Sequence, residues 1–561
     1  MMNRLTNSTE IEDARRRIAE LLDACGEWFL RERRDGAAVE LRRGEWELRV
    51  ASGALLLSYW GEAGARTWRV AAWELSGGRL ALEAARRTGA VRARLELVPR
   101  ARAASAREAV AEARRAECER LAALVCASSG ARLEQARVSA GARRGEPGRW
   151  ARILLRRGRV RVAATAPVVA VGAEVAESFL SSALLWLARL EGGPRAVRAQ
   201  ELWLVAPTKL AAAIAERLAL LREDLRAVTS VFELNDERRG PTNDEGRSST
   251  KDKRHDLTDD ERRGLTKYGR GLSDDDERGD MNDDGRGGLT QIRVPGLEEL
   301  LDAPAPHLSR RAEQTPCELV RSIVALAPEE IDVVRARHGE TLRFLGLPFA
   351  RVRRVMGAEH LWFGVESAPR RTPLDEESAP DLLKLIAELK EHRRASAVDH
   401  RHALYRAAPE AWLESILRRD ITRLDPGLRL APLHAQFRAA HDAHAASRPV
   451  DLLALRRDGR LVVIELKVSE DAALALQGAD YWRRIEQQRR CGNVARARLF
   501  DDARVADCPP LVYLVAPMLR FHRSFAALAR AVAPEIEMYR FDLGEDWRAC
   551  VRVVRRVPLH D

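Results

Sequence analysis

The chain has 561 residues, 46% of them hydrophobic, a length that implies about three to four domains with cores of ordinary size. Basic residues outnumber acidic ones by 95 to 84, a formal charge of +11 that suits a polyanionic partner, and equally an Arg- and Ala-rich composition bias. Seven cysteines without a CxxC cluster argue against zinc, iron–sulfur or disulfide frameworks; no apolar signal core opens the chain, and the most apolar stretch (168–190) carries Glu174 and Glu177, so the expectation is a cytoplasmic protein without a membrane span.

Residues 38–100 alternate as strands broken by glycine turns, and 1–105 reads as a small α/β module of unknown role. Next, 151–165 (ARILLRRGRVRVAAT) forms a predicted hairpin, followed by a helix carrying LSSALLW (180–186), a strand ending LVAP (204–207) and a strand VFELNDE (231–237). Residues 238–293 are dominated by Asp, Arg and Gly, with too little apolar surface to offset ordering entropy, and read as a disordered charged linker. Residues 294–400 hold a second small β-containing module and a bridging helix at 380–393.

The last region, 401–561, opens with a helix from Pro409 that sets Glu410 and Glu414 on one face at i, i+4. Two apolar runs follow, 450–455 (VDLLAL) and 461–468 (LVVIELKV). A three-residue loop at 457–459 with Gly459 left-handed pairs Arg456 with Arg460, hence Asp451 with Glu465. Paired residues share a face and Lys467 follows by alternation. Only seven of the 95 basic residues are lysine, and one amid Val, Ile and Leu suggests a need for a cation that can lose its proton. A helix then sets Gln477 and Tyr481 on one face, and strands ending LVAP (514–517) and RFDLGED (540–546) close the region.

The order hairpin, helix, strand, helix, strand occurs on both sides of the linker, with L-x-x-A-x-x-W and LVAP shared; Pro517 to Phe541 spans 24 residues and Pro207 to Phe232 spans 25. This predicts a duplicated fold. Asp451, Glu465 and Lys467 then fall against Ala151, Ala164 and Ala166, and Gln477 and Tyr481 against Ser181 and Leu185, so 106–237 is expected to be a catalytically silent copy.

Asp451, Glu465-Leu466-Lys467 and Gln477-x-x-x-Tyr481 together resemble the PD-(D/E)XK nuclease superfamily, in its RecB-type branch. Pro449 stands one residue further from the aspartate than in the literal motif. The resemblance implies tandem restriction-endonuclease-like folds of mixed α/β class with two small β modules, and a metal-dependent nuclease acting on DNA, with RNA open. It also implies Mg²⁺ or Mn²⁺ held by Asp451, Glu465, the Leu466 carbonyl and Glu414, with Glu410 in reserve. Lys467 would orient or deprotonate water if its pKa is depressed, and Gln477 and Tyr481 would hold the phosphate. The alternatives are a non-catalytic nucleic-acid-binding protein and a scaffold of a repair or defence complex. His434, His441 and His444 read better as loop residues than as ligands, and Arg483-Arg484 and Arg489-Arg490 as either phosphate contacts or solvated charges.

Overall fold

The computed structural model describes residues 3–234 and 288–559, except 6, 26, 33–37, 43–45, 52, 62–63, 77–78, 87–91, 100–103, 142–146, 193–197, 309–316, 337–338, 356–357, 366–371 and 439–448. Residues 238–287 of the linker expected at 238–293, and the histidines His441 and His444, lie outside the described residues. The described chain is mixed α/β, with four sheets. No helix in it is long and apolar enough to cross a membrane.

The first sheet is antiparallel, and the helix Ser8–Cys25 covers it. Ile11, Ala14, Ile18 and Leu22 line one face of that helix and pack on Trp28, Leu55, Leu57 and Trp68. The third sheet, from Ile331–Ala336 to Thr372–Pro373, is also antiparallel, and helices Glu318–Val324 and Ala379–His392 pack on it.

The second and fourth sheets have the same six-strand order and the same sense of pairing. In the fourth, His434–Phe437, Val450–Leu455 and Leu461–Leu466 pair antiparallel; Leu511–Pro517 and Met538–Leu543 add in parallel; Val553–Pro558 closes antiparallel. In the second, Arg132–Ala140, Pro147–Arg157, Val160–Pro167, Glu201–Ala206, Thr229–Leu234 and Leu289–Ile292 repeat that pattern. The last of these strands corrects the expected linker boundary. Residues 289–292 return across the charged segment to the sheet edge, where Ile292 packs against the core.

The two copies share one core. Helices Ala176–Gly192, Thr208–Leu218, Leu474–Arg490 and Phe525–Ala529 contribute Leu180, Trp186, Ile214, Leu476, Trp482 and Phe525 to a single apolar cluster. An antiparallel bridge joins Leu221 to Val532, flanked by bonds from Arg222 N–H to Ala531 O at 3.0 Å and from Ala533 N–H to Leu220 O at 2.8 Å. Helix Leu297–Asp302 also belongs here rather than to the third sheet, since Leu301 enters the same cluster.

Duplicated topology corrects the predicted alignment by one residue. Glu465 pairs with Leu514, whereas Thr165 pairs with Leu204, the corresponding leucine of LVAP. Glu465 therefore matches Thr165, and Asp451 matches Arg152, the antiparallel partner of Thr165. Ala151, Ala164 and Ala166 face the opposite side, among Leu121 and Val125. A one-residue slip exchanges the two faces of a strand, and the shorter turn between Arg157 and Val160 makes that slip easy to commit.

Candidate active site

The hairpin has the predicted register: Leu455 pairs with Leu461 and Leu452 with Ile464. Arg456 N–H donates to Arg460 O at 2.9 Å, and Gly459 sits at φ +86°, a left-handed position that suits glycine. The ladder ends at 452/464, one step before the acidic pair. Lys467 N–H turns to Val515 O, and Leu466 N–H, facing the diverging strand, donates to Asp451 Oδ2 at 2.9 Å. The structure thus ties Asp451 to the Leu466 amide.

The Asp451 carboxylate lies close enough to Glu465 for its charge to act on that carboxyl, and Lys467 Nζ donates to Glu465 Oε1 at 2.7 Å. Glu465 is 2% exposed. Burial, then the charge of Asp451, push its carboxyl well above the usual carboxylate range, against the opposing pull of Lys467. For Lys467, burial favours the neutral amine, but Glu465, Glu410 and Asp451 together outweigh it and hold the ammonium above its ordinary value. This overturns the expectation of a depressed lysine pKa: the sequence places Asp451 and Glu465 on the face of Lys467 but does not show that, with Glu410, their charge outweighs burial.

The helix Pro409–Arg419 brings both its glutamates to the site. Glu410 accepts the Val468 N–H and is raised by burial, with Lys467 opposing and Asp451 reinforcing. Glu414 is also raised by burial, offset by Gln436 and Arg343. It meets Asp451 through an intermediary: Gln436 Nε2 donates to Glu414 Oε2 at 2.8 Å and to Asp451 Oδ1 at 3.3 Å. Gln436 was missed by sequence reasoning. It lies in a four-residue strand at φ +50°, a left-handed backbone rare for a non-glycine residue, and no periodicity marks it. Arg343 reaches Glu414 from the third sheet at 3.7 Å, and Ser415 Oγ donates to Asp332 Oδ2 at 2.6 Å.

Gln477 and Tyr481 are buried rather than on a solvated helix face. Burial, then the charges of Glu465 and Asp451, raise the Tyr481 phenol, placing its ring within the field of the acidic pair. Of the basic runs, Arg483 and Arg484 are buried, Arg489 is half-buried and Arg490 is exposed. Arg483 and Arg484 bind buried Asp480, which also takes Arg217 of the other copy at 3.2 Å; Arg489 and Arg490 bind buried Glu486. His434 Nε2 meets Leu499 O at 2.7 Å.

Oxygen donors of this kind fit a hard divalent cation, and magnesium characteristically takes one or two carboxylates and keeps its waters. Two carboxyl groups, Asp451 and Glu465, meet directly. Among the described residues no group of three or more His, Cys, Asp or Glu side chains is arranged as a metal centre; Glu414 stands behind Gln436. The chain matches no family model, no curated protein and no solved structure.

Proposed function

We propose that the chain is a metal-dependent phosphodiester hydrolase acting on nucleic acid, DNA in the first instance. Its two copies would be restriction-endonuclease-like folds, of which only the second is catalytic. The observation that carries this reading is the meeting of Asp451, Glu465 and Lys467 at the end of one hairpin, with Lys467 Nζ donating to Glu465 and the Asp451 charge acting on the buried Glu465 carboxyl. Such a pair, desolvated and mutually repulsive, gains most from a cation between its carboxyl groups.

Asp451 and Glu465 would hold Mg²⁺ or Mn²⁺, which when bound polarises a phosphoryl oxygen and acidifies bound water. Lys467, held cationic, would orient the attacking water and offset charge on the phosphate rather than act as the base. Glu410, raised by burial and close enough to feel Lys467, suits the acceptor of the water's proton. Tyr481 keeps its phenolic proton and could donate it in a hydrogen bond to a phosphate oxygen. Gln436 would brace Asp451 against Glu414, as supporting side chains brace metal ligands.

Purified full-length protein with Mg²⁺ or Mn²⁺ should cleave labelled linear, circular or single-stranded DNA, and Glu465→Ala should abolish cleavage. Equal activity in the two proteins rejects the assignment and leaves the non-catalytic binding and scaffold readings.

A further inference from the structure

We propose that the first copy has replaced the acidic pair with a phosphate-binding site, in which Arg152, Arg137 and Arg189 grip the backbone of the nucleic acid. Strand pairing puts Arg152 in the place of Asp451 and Thr165 in that of Glu465. Arg137 is the direct strand partner of Arg152, as Gln436 stands opposite Asp451 between the pairs 435/452 and 437/450. Arg189 joins them from the covering helix, three residues beyond Trp186, and the Arg152 guanidinium lies 5.8 Å from the Trp186 ring centre.

Like charges directly across a strand pair destabilise a sheet. Burial, then Arg189 and Arg137, push Arg152 down to about 10. Among the described residues none of the three arginines has an ion-pair partner. Ser181 and Trp186 occupy the places of Gln477 and Trp482, are each 2% exposed, and leave a hydroxyl and an indole N–H without a partner. Trp482, by contrast, donates to Pro510 O at 2.9 Å. The cluster is therefore rich in donors and cations and without a carboxylate. Two guanidiniums on adjacent strands match the oxygens of a phosphodiester. The identity of the polyanion rests on the hydrolase reading; the arginine site itself needs neither metal nor cleavage.

Binding of a fluorescein-labelled DNA duplex to the full-length protein, followed by anisotropy in EDTA over a salt series, tests the proposal. Substituting Arg137→Gln together with Arg152→Gln should weaken binding about tenfold and reduce the log–log salt slope by about two. Because it removes a repulsion, the same change should raise the thermal midpoint of the free protein. Unchanged affinity and slope in the double variant, absence of DNA binding by the wild type, or loss of binding together with a lowered midpoint would each overturn the proposal. Arginine-dependent binding without any cleavage would defeat the hydrolase reading and leave this site standing.

Discussion

Asp451 Oδ2 accepts the main-chain N–H of Leu466 at 2.9 Å, one step past the last ladder pair of the hairpin. That bond fixes one carboxylate beside the second, Glu465, whose carboxyl burial and the Asp451 charge raise well above the usual range. A cation entering between them competes with protonation of Glu465.

Metal binding should therefore depend on pH. Because Glu465 has a raised folded pKa, its contribution to stability is full below the unfolded value of about 4.3 and is lost as pH rises through the raised value. Mn²⁺ offsets this loss, so the thermal shift it produces should grow as pH rises above the ordinary carboxylate range. Melts with and without Mn²⁺ over a pH series check this; a shift independent of pH counts against it.

Gln436 should matter to activity more than to stability. Its left-handed backbone costs about 1 kcal/mol, against about 1 kcal/mol for each of its two side-chain hydrogen bonds. Gln436→Gly should cost only about 1 kcal/mol in stability while lowering kcat/KM about tenfold or more. A parallel fall in both would make Gln436 merely structural.

Gly346, at φ +81°, presses against the helix that carries Glu410 and Glu414: a Cβ there would lie 1.9 Å from Ala411 O. Gly346→Ala should displace that helix, destabilise by about 1–3 kcal/mol and reduce cleavage. Wild-type melting and activity would show that the third sheet does not position the glutamates.

Asp480 ties the copies together through Arg217, and three guanidiniums converge on it. Burial opposes its charge, but the three arginines outweigh burial and hold its carboxyl well below the usual range. Asp480→Ala leaves those cations buried and should cost about 3–5 kcal/mol in urea denaturation. A loss under about 1 kcal/mol would mean that solvent screens the network.

Much of the site was legible because it is local. Alternation, a glycine turn and a lone lysine fix which side chains of the 450–467 hairpin share a face, and the register follows from turn length alone. The duplicated sheets were legible through LVAP and L-x-x-A-x-x-W, which mark packing positions in both. What escaped was long-range. The strand 289–292 pairs across the charged segment, Gln436 comes from a strand too short to show a period, and Arg343 arrives from another sheet. The protonation of Lys467 escaped for the same reason, since its sign depends on Glu410, two elements away in sequence. Arg483 and Arg484 looked like surface cations because, although Asp480 lies on their own helix, that helix is buried against Arg217 and Glu216 only when the copies pack.

Calorimetric titration of Mn²⁺ into the wild type, Asp451→Asn and Glu465→Gln tests most directly whether these two carboxyl groups share a cation. One site per chain in the wild type, with proton release, and no measurable heat in either variant is the predicted result. Equal binding in all three proteins, or none in the wild type with DNA present, would contradict it.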